Sequence, residues 1–379
     1  MNRHRIQAVA RKEFYHLARD FRSLYLAFAV PILLILLFGY ALSLDVDRIA
    51  TIVVDHDRTA LSRDIVRQLG ASPYFKILGN VGDTQQAGKE LDRGEATFAV
   101  VIPAGFAAHM RHDHEAPLQL ILDGSDPNFS NIARAYVTAF FDGYNNNRLE
   151  SFLNRQGQTV LAQPVEGRIR VWFNEDLESR NFIIPGIIAV IIMIVGAMLT
   201  SLVIAREYEN GTMETIRSLP LTAGEFLLGK AAPYFLIGLT DVLVAVLMAQ
   251  ILFGVVMKSS FWLMITASSL YLAVALALGL FISILTKSQL VANQAALLVT
   301  YLPSLLLSNF VFPVTNMPAV LQGLTFFVPA TYYIEILNGI YLKNLTLGQL
   351  GSSFLVLAVM LSVLSILNWR QLQKEGFSR

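Results

Sequence analysis

The sequence predicts a polytopic α-helical membrane protein with six transmembrane helices and an extracytoplasmic α/β domain inserted between the first and second spans. Hydrophobic residues make up 54% of the 379 residues and charged residues only 15%. The mean hydropathy is +0.53, and this composition excludes a soluble protein. Six strongly apolar stretches are each long enough to cross a bilayer. A charged stretch, residues 45–181, separates the first two and is large enough to have its own core.

The first 22 residues predict a cytosolic amphipathic helix that lies on an anionic membrane surface. Apolar residues recur there at helical spacing among six basic ones. The apolar set is Ile6, Ala10, Phe14, Leu17 and Phe21, and the basic set is Arg3, Arg5, Arg11, Lys12, Arg19 and Arg22. Residues 23–44 follow as the first transmembrane helix, uncharged and containing Pro31. A signal peptide cleaved near Ala41-Leu42-Ser43 is the alternative, but its apolar region would be too long, so we favour a retained span.

Residues 45–181 differ from the rest of the chain because charged and turn-forming residues divide them into short units. Five β-branched stretches bounded by Gly, Pro, Asp or Asn predict strands. They are Ala50–Val54, Tyr74–Leu78, Ala96–Ile102, Leu118–Leu122 and Val165–Phe173. Helical stretches lie between them, around Ala60–Leu69, Thr84–Asp92, Gly105–His112 and Asn131–Leu153. Alternating strands and helices predict one α/β domain folded outside the membrane.

Residues 182–379 contain five further predicted spans. They are Phe182–Ala205, Ala231–Val256, Phe261–Thr286, Gln289–Phe312 and Ser353–Trp369. Residues 313–351, before the last span, are apolar but interrupted by Pro313, Pro318 and Pro329. We therefore expect short re-entrant or interfacial helices there, and no seventh span.

The distribution of basic residues predicts the orientation, since cytosolic loops carry an excess of lysine and arginine. With six spans, both termini lie on one side. That side holds the N-terminal basic residues together with Arg206, Arg217, Lys230, Lys287, Arg370, Lys374 and Arg379, whereas the short outer loops hold Lys258 and Lys343. We expect a multi-pass protein of the inner membrane with both termini cytoplasmic and residues 45–181 extracytoplasmic.

The loop at residues 206–230 has specific helix signals. Gly211 stops the helix that leaves the membrane, Thr212 caps a short helix from Met213 to Leu219, and Pro220 ends it. Thr222 and Glu225 have the spacing of a capping box for the next helix. Met213, Ile216 and Leu219 would form an apolar stripe on the short helix. This loop is either a surface that a soluble partner recognises or a solvated loop capped for its own stability.

Two motifs resemble one known family. Glu207-x-Glu209-x-Gly211-Thr212-x-Glu214, followed by Leu219-Pro220 and Leu228-x-Lys230, resembles the cytosolic coupling segment of ABC-2-type transporter permeases. The second motif resembles the outer re-entrant segment of the drug-efflux branch. It reads Phe312-Pro313-Val314-x-Asn316-Met317-Pro318, Pro329-Ala330-x-Tyr332-Tyr333-Ile334-Glu335-x-Leu337 and Ile340-x-Leu342-Lys343. The sequence departs from the family pattern at Asn338, where an arginine is expected.

The resemblance implies the permease subunit of an ATP-driven exporter. Separate cytosolic ABC ATPase subunits would bind ATP and Mg²⁺ and dock beneath residues 206–230, which we call the coupling loop. A second permease, identical or merely similar, would complete the translocation path in the membrane lipid. The substrates would be drugs or other amphipathic compounds, and a periplasmic adaptor is a further partner left open. The implied coupling residues are Glu207, Glu209, Gly211, Thr212, Glu214, Arg217 and Pro220.

The chain itself shows no nucleotide site. Gly224-x-x-x-x-Gly229-Lys230-Ala231 nearly forms a phosphate-binding loop, but Ala231 has no hydroxyl for magnesium and no strand precedes the motif. Nothing resembles a catalytic nucleophile with its base. His109, His112, His114 and Glu115 match no standard zinc spacing and are interpreted as a solvated turn. We therefore expect no catalysis, no metal and no nucleic-acid partner.

Polar residues within the spans have two open interpretations. Asp241 lies well inside an apolar span, where a charge costs about 2.5–3.5 kcal/mol on insertion scales. Interhelical hydrogen bonding is one interpretation, and a substrate or ion pathway is the other. The candidate pathway residues are Asp241, Asn293, Gln294, Asn309 and Glu335.

Two other classes of protein compete with the exporter. An ion-coupled secondary transporter would use Asp241, although the internal repeats of such transporters are not evident. A membrane-anchored scaffold or sensor would use the outer domain as its working part, but it would not need six spans.

Overall fold

A computed structural model of the chain describes residues 2–41, 48–112, 116–125, 127–155, 173 and 178–377. The chain divides into two compact units. The helical unit comprises Met1–Ser43 with Val171–Arg379, and the α/β unit comprises Leu44–Arg170.

The helical unit begins with two consecutive helices, α1 (Arg3–Arg19) and α2 (Phe21–Ala41). The side chain of Asn2 caps α1 by accepting a hydrogen bond from the His4 N–H. The predicted amphipathic helix is thus present, and a charged residue is buried on it together with part of the apolar set. Phe14 is 55% exposed, whereas the charged residue Glu13 is buried with Leu17. The predicted first span corresponds to α2, in which Ala27–Tyr40 form an apolar helix.

In its described residues, the α/β unit contains one mixed sheet and four helices. In chain order they are β1 (Ile49–Asp55), α3 (Ala60–Ala71), β2 (Phe75–Asn80), α4 (Thr84–Asp92), β3 (Phe98–Ile102), α5 (Phe106–His112), β4 (Gln119–Leu122) and α6 (Pro127–Arg155). The sheet order is β2-β1-β3-β4. The first three strands are parallel, and β4 is antiparallel to β3.

The two central strands form the core of this unit. Every residue of β3 is buried, as expected for a strand covered on both faces. Four of the five predicted strands are confirmed, with ends within two residues of the prediction. The fifth, Val165–Phe173, lies outside the described residues except for Phe173.

The rest of the helical unit contains eight helices in the part of the chain that the structure describes. They are α7 (Arg180–Glu209), α8 (Thr212–Ser218), α9 (Ala223–Phe253), α10 (Phe261–Thr286), α11 (Gln289–Leu306), α12 (Ala319–Thr325), α13 (Pro329–Tyr341) and α14 (Leu347–Lys374). Among described residues, α7, α9, α10, α11 and α14 are long and apolar enough to cross a membrane. Counting α12 with α13 as one span gives six, although these two helices meet at 75°.

Two helices in this unit have ends that differ from the predicted bounds of the spans. Within the predicted span Gln289–Phe312 the helix ends at Leu306, and Asn309 beyond it adopts a left-handed conformation with φ 64°. The last helix begins at Leu347, so the final residues of the predicted segment 313–351 belong to α14. Short helices interrupted at prolines were predicted for this segment. The bend between α12 and α13 agrees with that prediction.

Helix α7 is the centre of the helical unit and packs closely on α10. A Cβ added to Gly279 would lie 2.3 Å from the carbonyl oxygen of Ala197 and 2.2 Å from Oγ1 of Thr200. The Thr200 hydroxyl donates to the carbonyl of Leu276 at 3.0 Å. Small residues that allow two backbones to approach are typical of helix contacts in membranes. Helices α7 and α10 therefore form a tight pair at the base of the coupling loop.

Candidate functional site

The coupling loop begins with a sharp break between α7 and α8. Helix α7 ends at Glu209, and Gly211 follows in the left-handed conformation with φ 69°. Glycine takes this conformation with no Cβ penalty, so the predicted stop at Gly211 is confirmed. The predicted cap is wrong, because α8 begins at Thr212 itself and the Thr212 hydroxyl donates to the Glu207 carboxylate instead.

Helix α8 has a buried and an exposed face. Met213 and Ile216 are buried in the main apolar core of the helical unit. Leu219, the predicted third member of that stripe, is 48% exposed, because the helix ends at Ser218 and the chain becomes extended. Glu214, Thr215, Ser218 and Pro220 are also exposed. The short helix therefore presents a polar surface while its apolar side holds it on the bundle.

A buried lysine lies behind this helix. Lys230 in α9 is only 1% exposed, and its ammonium lies 2.5 Å from Oε1 of Glu13 and 2.5 Å from Oε1 of Glu207. A buried charge is tolerated when it is paired and hydrogen-bonded. Lys230 thus joins α9 to both α1 and α7.

Further polar groups complete this arrangement. Lys12 lies 2.9 Å from Oε1 of Glu207, and the Tyr234 hydroxyl lies 3.5 Å from Oε2 of Glu13. We call Lys12, Glu13, Glu207, Thr212 and Lys230 the lysine cluster. Because its members lie on α1, α7, α8 and α9, the lysine cluster connects the start of α8 to three longer helices.

Helix α1 rests directly on the start of α9. A Cβ added to Gly229 would lie 2.6 Å from Cβ of Val9, and the Asn2 backbone N–H donates to Glu225 at 2.6 Å. The Glu225 side chain also completes the predicted capping box with Thr222, which is confirmed. The glycine and lysine of the apparent phosphate-binding loop thus have packing roles. Gly229 allows α1 to pack closely on α9, and Lys230 forms an ion pair with Glu13 of α1.

A second charged cluster holds the end of α8. Arg217 contacts Glu375 at 2.6 Å, and Lys287 contacts the same carboxylate at 2.6 Å. Arg217 also donates to the Tyr208 hydroxyl at 3.0 Å. Partial burial alone would raise the pKa of Glu375, but hydrogen bonds and the two cations hold that pKa below its usual value. We call Tyr208, Arg217, Lys287 and Glu375 the Glu375 cluster, which links α8 to the ends of α10 and α14.

The predicted coupling residues therefore separate into three environments. Glu207, Thr212 and Arg217 belong to the two charged clusters, and Glu207 is buried rather than available to a docking partner. Glu209 is exposed and accepts hydrogen bonds from the backbone and side chain of Gln289 at the start of α11. Glu214 and Pro220 lie on the exposed surface.

Five residues of these clusters were missed by sequence reasoning about the site. They are Lys12, Glu13, Tyr208, Lys287 and Glu375. One signal was available for Glu13, which lies three residues after Ala10 and four before Leu17. That spacing places it on the apolar stripe of α1, where an acidic residue needs a buried partner.

The candidate pathway residues are not brought together. Asp241 is 7% exposed, and neither carboxylate oxygen has a hydrogen-bond partner among the described residues. Asn293 is half-buried and Gln294 exposed on α11. Asn309 lies beyond the helix and accepts a hydrogen bond from the Val314 N–H at 3.0 Å, so it shapes a turn. Glu335 accepts one from Ser353 at 2.7 Å.

An apolar cavity of ≈ 840 Å³ lies beside α11, α13 and α14. Its walls include Pro303, Phe326, Phe327, Val359 and Val363. Its size falls within the roughly 300–1,000 Å³ of small-molecule sites. None of the five candidate pathway residues lines this cavity, which has a strongly apolar wall.

The histidine cluster falls largely outside the described residues, because His114 and Glu115 are not among them. Within the described part of the chain, no group of three or more His, Cys, Asp or Glu side chains is arranged to hold a metal ion.

Comparison with known proteins identifies the family. The family model described as "ABC-2 family transporter protein" matches residues 21–370. The chain is 36% identical over 342 residues to the Escherichia coli K12 protein named "Probable multidrug ABC transporter permease YbhS", covering 90% of this chain and 89% of that protein. It is 28% identical to "Probable multidrug ABC transporter permease YbhR" of the same organism, covering 94% and 95%.

A third relative, "Inner membrane transport permease YhhJ" of Escherichia coli K12, is 26% identical and covers 81% of this chain and 83% of that protein. The family-model match over residues 21–370 spans the coupling loop, the long apolar helices and the α/β unit. The chain therefore belongs to the ABC-2 transporter family, as a permease subunit that has no nucleotide site of its own.

Proposed function

We propose that this permease exports amphipathic compounds and is driven by a cytosolic ATPase that docks on the exposed face of α8. The main support for the proposal is that α8 has an exposed face and is attached to the bundle at both ends. Its outer face, with Glu214, Thr215 and Ser218, is free for a partner, whereas charged clusters attach both of its ends to the bundle. If a docked partner displaces this face, the two charged clusters would transmit the displacement to the longer helices.

The lysine cluster and the Glu375 cluster supply these connections. At the start of α8, Thr212 bonds to Glu207, which Lys230 and Lys12 connect to α9 and α1. At its end, Arg217 contacts Glu375 beyond α14, and Lys287 connects the same carboxylate to α10. When two ATPase subunits close on ATP, displacement of α8 would move α1, α7, α9, α10 and α14 together. This coordinated motion is the proposed coupling step.

Drugs are among the proposed substrates for two reasons. The names of two relatives include "multidrug", and the helical unit has an apolar cavity of ≈ 840 Å³. An apolar cavity favours ligands with a large hydrophobic surface. A second permease, identical or similar, would complete the path, and Asp241 would face that path or a partner helix.

Co-purification tests the proposed function. The tagged chain is extracted from its native membrane in mild detergent, and its partners are identified and counted by mass spectrometry. We expect an ABC ATPase at close to one copy per permease, together with a second permease copy or a related chain. Recovery of the chain without an ATPase, under conditions that preserve other membrane complexes, would contradict the proposal.

An ion-coupled transporter using Asp241 is not favoured, because the family consists of permeases that work with an ATPase. The two mechanisms differ in a measurable way. ATP-driven export stops on ATP depletion and survives collapse of the ion gradients, and an ion-coupled carrier shows the reverse.

The orientation is part of the proposal and gives a prediction. The chain has no cysteine, so single cysteines report on single positions. We expect Gln85→Cys in the α/β unit to react with a membrane-impermeant maleimide added to intact spheroplasts. Thr215→Cys on α8 should react only after permeabilisation. Both positions are exposed in the structure, so the reverse pattern of labelling would invert the proposed topology.

A further inference from the structure

The α/β unit contains a cavity of its own, lined mainly by apolar side chains together with Thr138, Asp142 and Asn145. Its volume is ≈ 350 Å³, and it lies among α3, α5, β4 and α6. Ile65, Phe106, Leu118, Val137 and Phe141 form much of its wall. This volume is at the lower end of the roughly 300–1,000 Å³ range of small-molecule sites. The cavity has room for a hydrocarbon chain or a small ring system.

A basic recess of ≈ 720 Å³ adjoins this cavity. Three arginines and one aspartate line it, Arg63, Arg67, Arg148 and Asp64, which gives a formal charge of +3 − 1 = +2. Arg67 is paired with Asp64 at 2.5 Å. The side chains of Arg63 and Arg148 have no ion-pair or hydrogen-bond partner in the part of the chain that the structure describes. Two arginines are therefore available to an anion.

The cavity and the recess share one lining side chain. Met110 lines both. Tyr144 lies on the cavity wall, is 4% exposed, and has a buried hydroxyl with no hydrogen-bond partner among the described residues. Burial raises the pKa of the Tyr144 phenol, while nearby Arg148 lowers it and nearby Asp64 raises it. The phenol is thus close to charged groups of the recess.

A buried hydroxyl without a partner costs free energy, because it loses its hydrogen bonds to water. An acceptor from a ligand bound in the cavity would satisfy the Tyr144 hydroxyl. Arginine is also the side chain best suited to carboxylates and phosphates, which it binds with two parallel hydrogen bonds. The combination selects a ligand with an apolar body and an anionic head.

We propose that the α/β unit binds a single-chain amphipathic anion, such as a long-chain carboxylate or alkyl phosphate. The hydrocarbon chain occupies the apolar cavity, the anionic head lies between Arg63 and Arg148, and the Tyr144 hydroxyl donates a hydrogen bond to it. Asp142, which is exposed on the cavity wall, brings the formal charge of the combined lining to +3 − 2 = +1. The site is independent of the ATPase docking proposed above.

Photolabelling of the full chain tests this proposal. The protein is placed in nanodiscs of phosphatidylcholine, and the probe is palmitate carrying a diazirine on its chain. We expect labelled peptides from α3 and α6. Free palmitate should compete at least tenfold better than hexadecyltrimethylammonium or hexadecanol. Equal competition by the cation would overturn the proposed anion site.

Matched variants test the assigned residues. Arg63→Gln with Arg148→Gln should lower labelling at least tenfold, whereas Arg134→Gln, exposed on α6 outside the lining, should leave it unchanged. Asp142→Asn should raise labelling. If the double variant does not fold, Tyr144→Phe tests the site instead, because it removes only the hydroxyl. We expect this variant to weaken labelling several-fold. Labelling that no variant alters contradicts the site.

The source of the anion is tested separately. Phosphatidylglycerol is introduced into the nanodisc at the molar amount of free palmitate used above. We expect it to compete at least tenfold less well, since the cavity has room for one chain. Equal competition would identify a bilayer lipid as the occupant and overturn the single-chain proposal.

Discussion

Replacement of Lys230 by methionine should destabilise the protein by about 3–5 kcal/mol, the usual cost of removing one partner of a buried ion pair. Methionine has a similar length, so little packing is lost. The loss of the ammonium leaves Glu13 buried without a cation, because its other polar contact among the described residues is the Tyr234 hydroxyl. Glu207 keeps Lys12 and Thr212. The measurement is the free energy of unfolding, or the thermal transition, of the variant in detergent.

A control and a rescue make this test specific. Lys258→Met removes an exposed lysine that has no ion pair among the described residues and should change stability by less than about 0.5 kcal/mol. Adding Glu13→Gln to Lys230→Met should restore part of the loss, because the unpaired charge is gone. Equal stability of the two single lysine variants would contradict the role of the lysine cluster.

A methyl group added at Gly279 should also be strongly destabilising. Gly279→Ala would place a Cβ 2.3 Å from the Ala197 carbonyl oxygen and 2.9 Å from its Cα. Backbone atoms cannot rotate away as a side chain can, so α7 and α10 must separate. Overpacking typically costs about 1–3 kcal/mol, and we expect the upper end of that range. The thermal transition of the purified variant measures the effect.

Gly351→Ala is the matched control for this substitution. Gly351 lies inside α14, and nothing within 4 Å would meet its Cβ. Alanine in place of glycine within a helix stabilises by about 0.5–1 kcal/mol. The two substitutions should therefore act in opposite directions, and a stable Gly279→Ala variant would show that α7 and α10 are less tightly packed than described.

Local signals in the sequence were sufficient for several elements of the fold. The stop at Gly211 and the capping box of Thr222 and Glu225 depend on residues only a few positions apart. Four strands followed from β-branched runs bounded by turn residues. Family membership followed from two motifs near the coupling loop and the outer segment.

Long-range pairing could not be predicted in the same way. Glu13 and Lys230 are 217 positions apart, and no periodicity connects them. The apolar set predicted for α1 includes Phe14, which is exposed, and omits Glu13, whose carboxylate is buried against Lys230. Lys230 stands out in the sequence through the coupling-segment motif, the basic residues of the inner loops and an apparent phosphate-binding loop, and none of these predicts its buried partners.

Hydropathy also gave a wrong end for one span. Apolar residues continue past Leu306 as far as Phe312, so the predicted helix was too long. Asn309 is a polar residue in this apolar stretch. Asparagine tolerates a left-handed backbone, and Asn309 adopts φ 64° in the segment that follows the helix. An asparagine near the end of an apolar stretch was the available signal for this turn.

The central claim is that a separate ATPase contacts the exposed face of α8, and cross-linking tests it most directly. A benzophenone maleimide is attached to Thr215→Cys in the otherwise cysteine-free chain and photolysed in native membranes. We predict a covalent adduct with an ABC ATPase. The control Gly323→Cys, exposed on α12, should give none. An intact ATPase complex that forms no adduct at Thr215, or forms one at Gly323, would contradict this account.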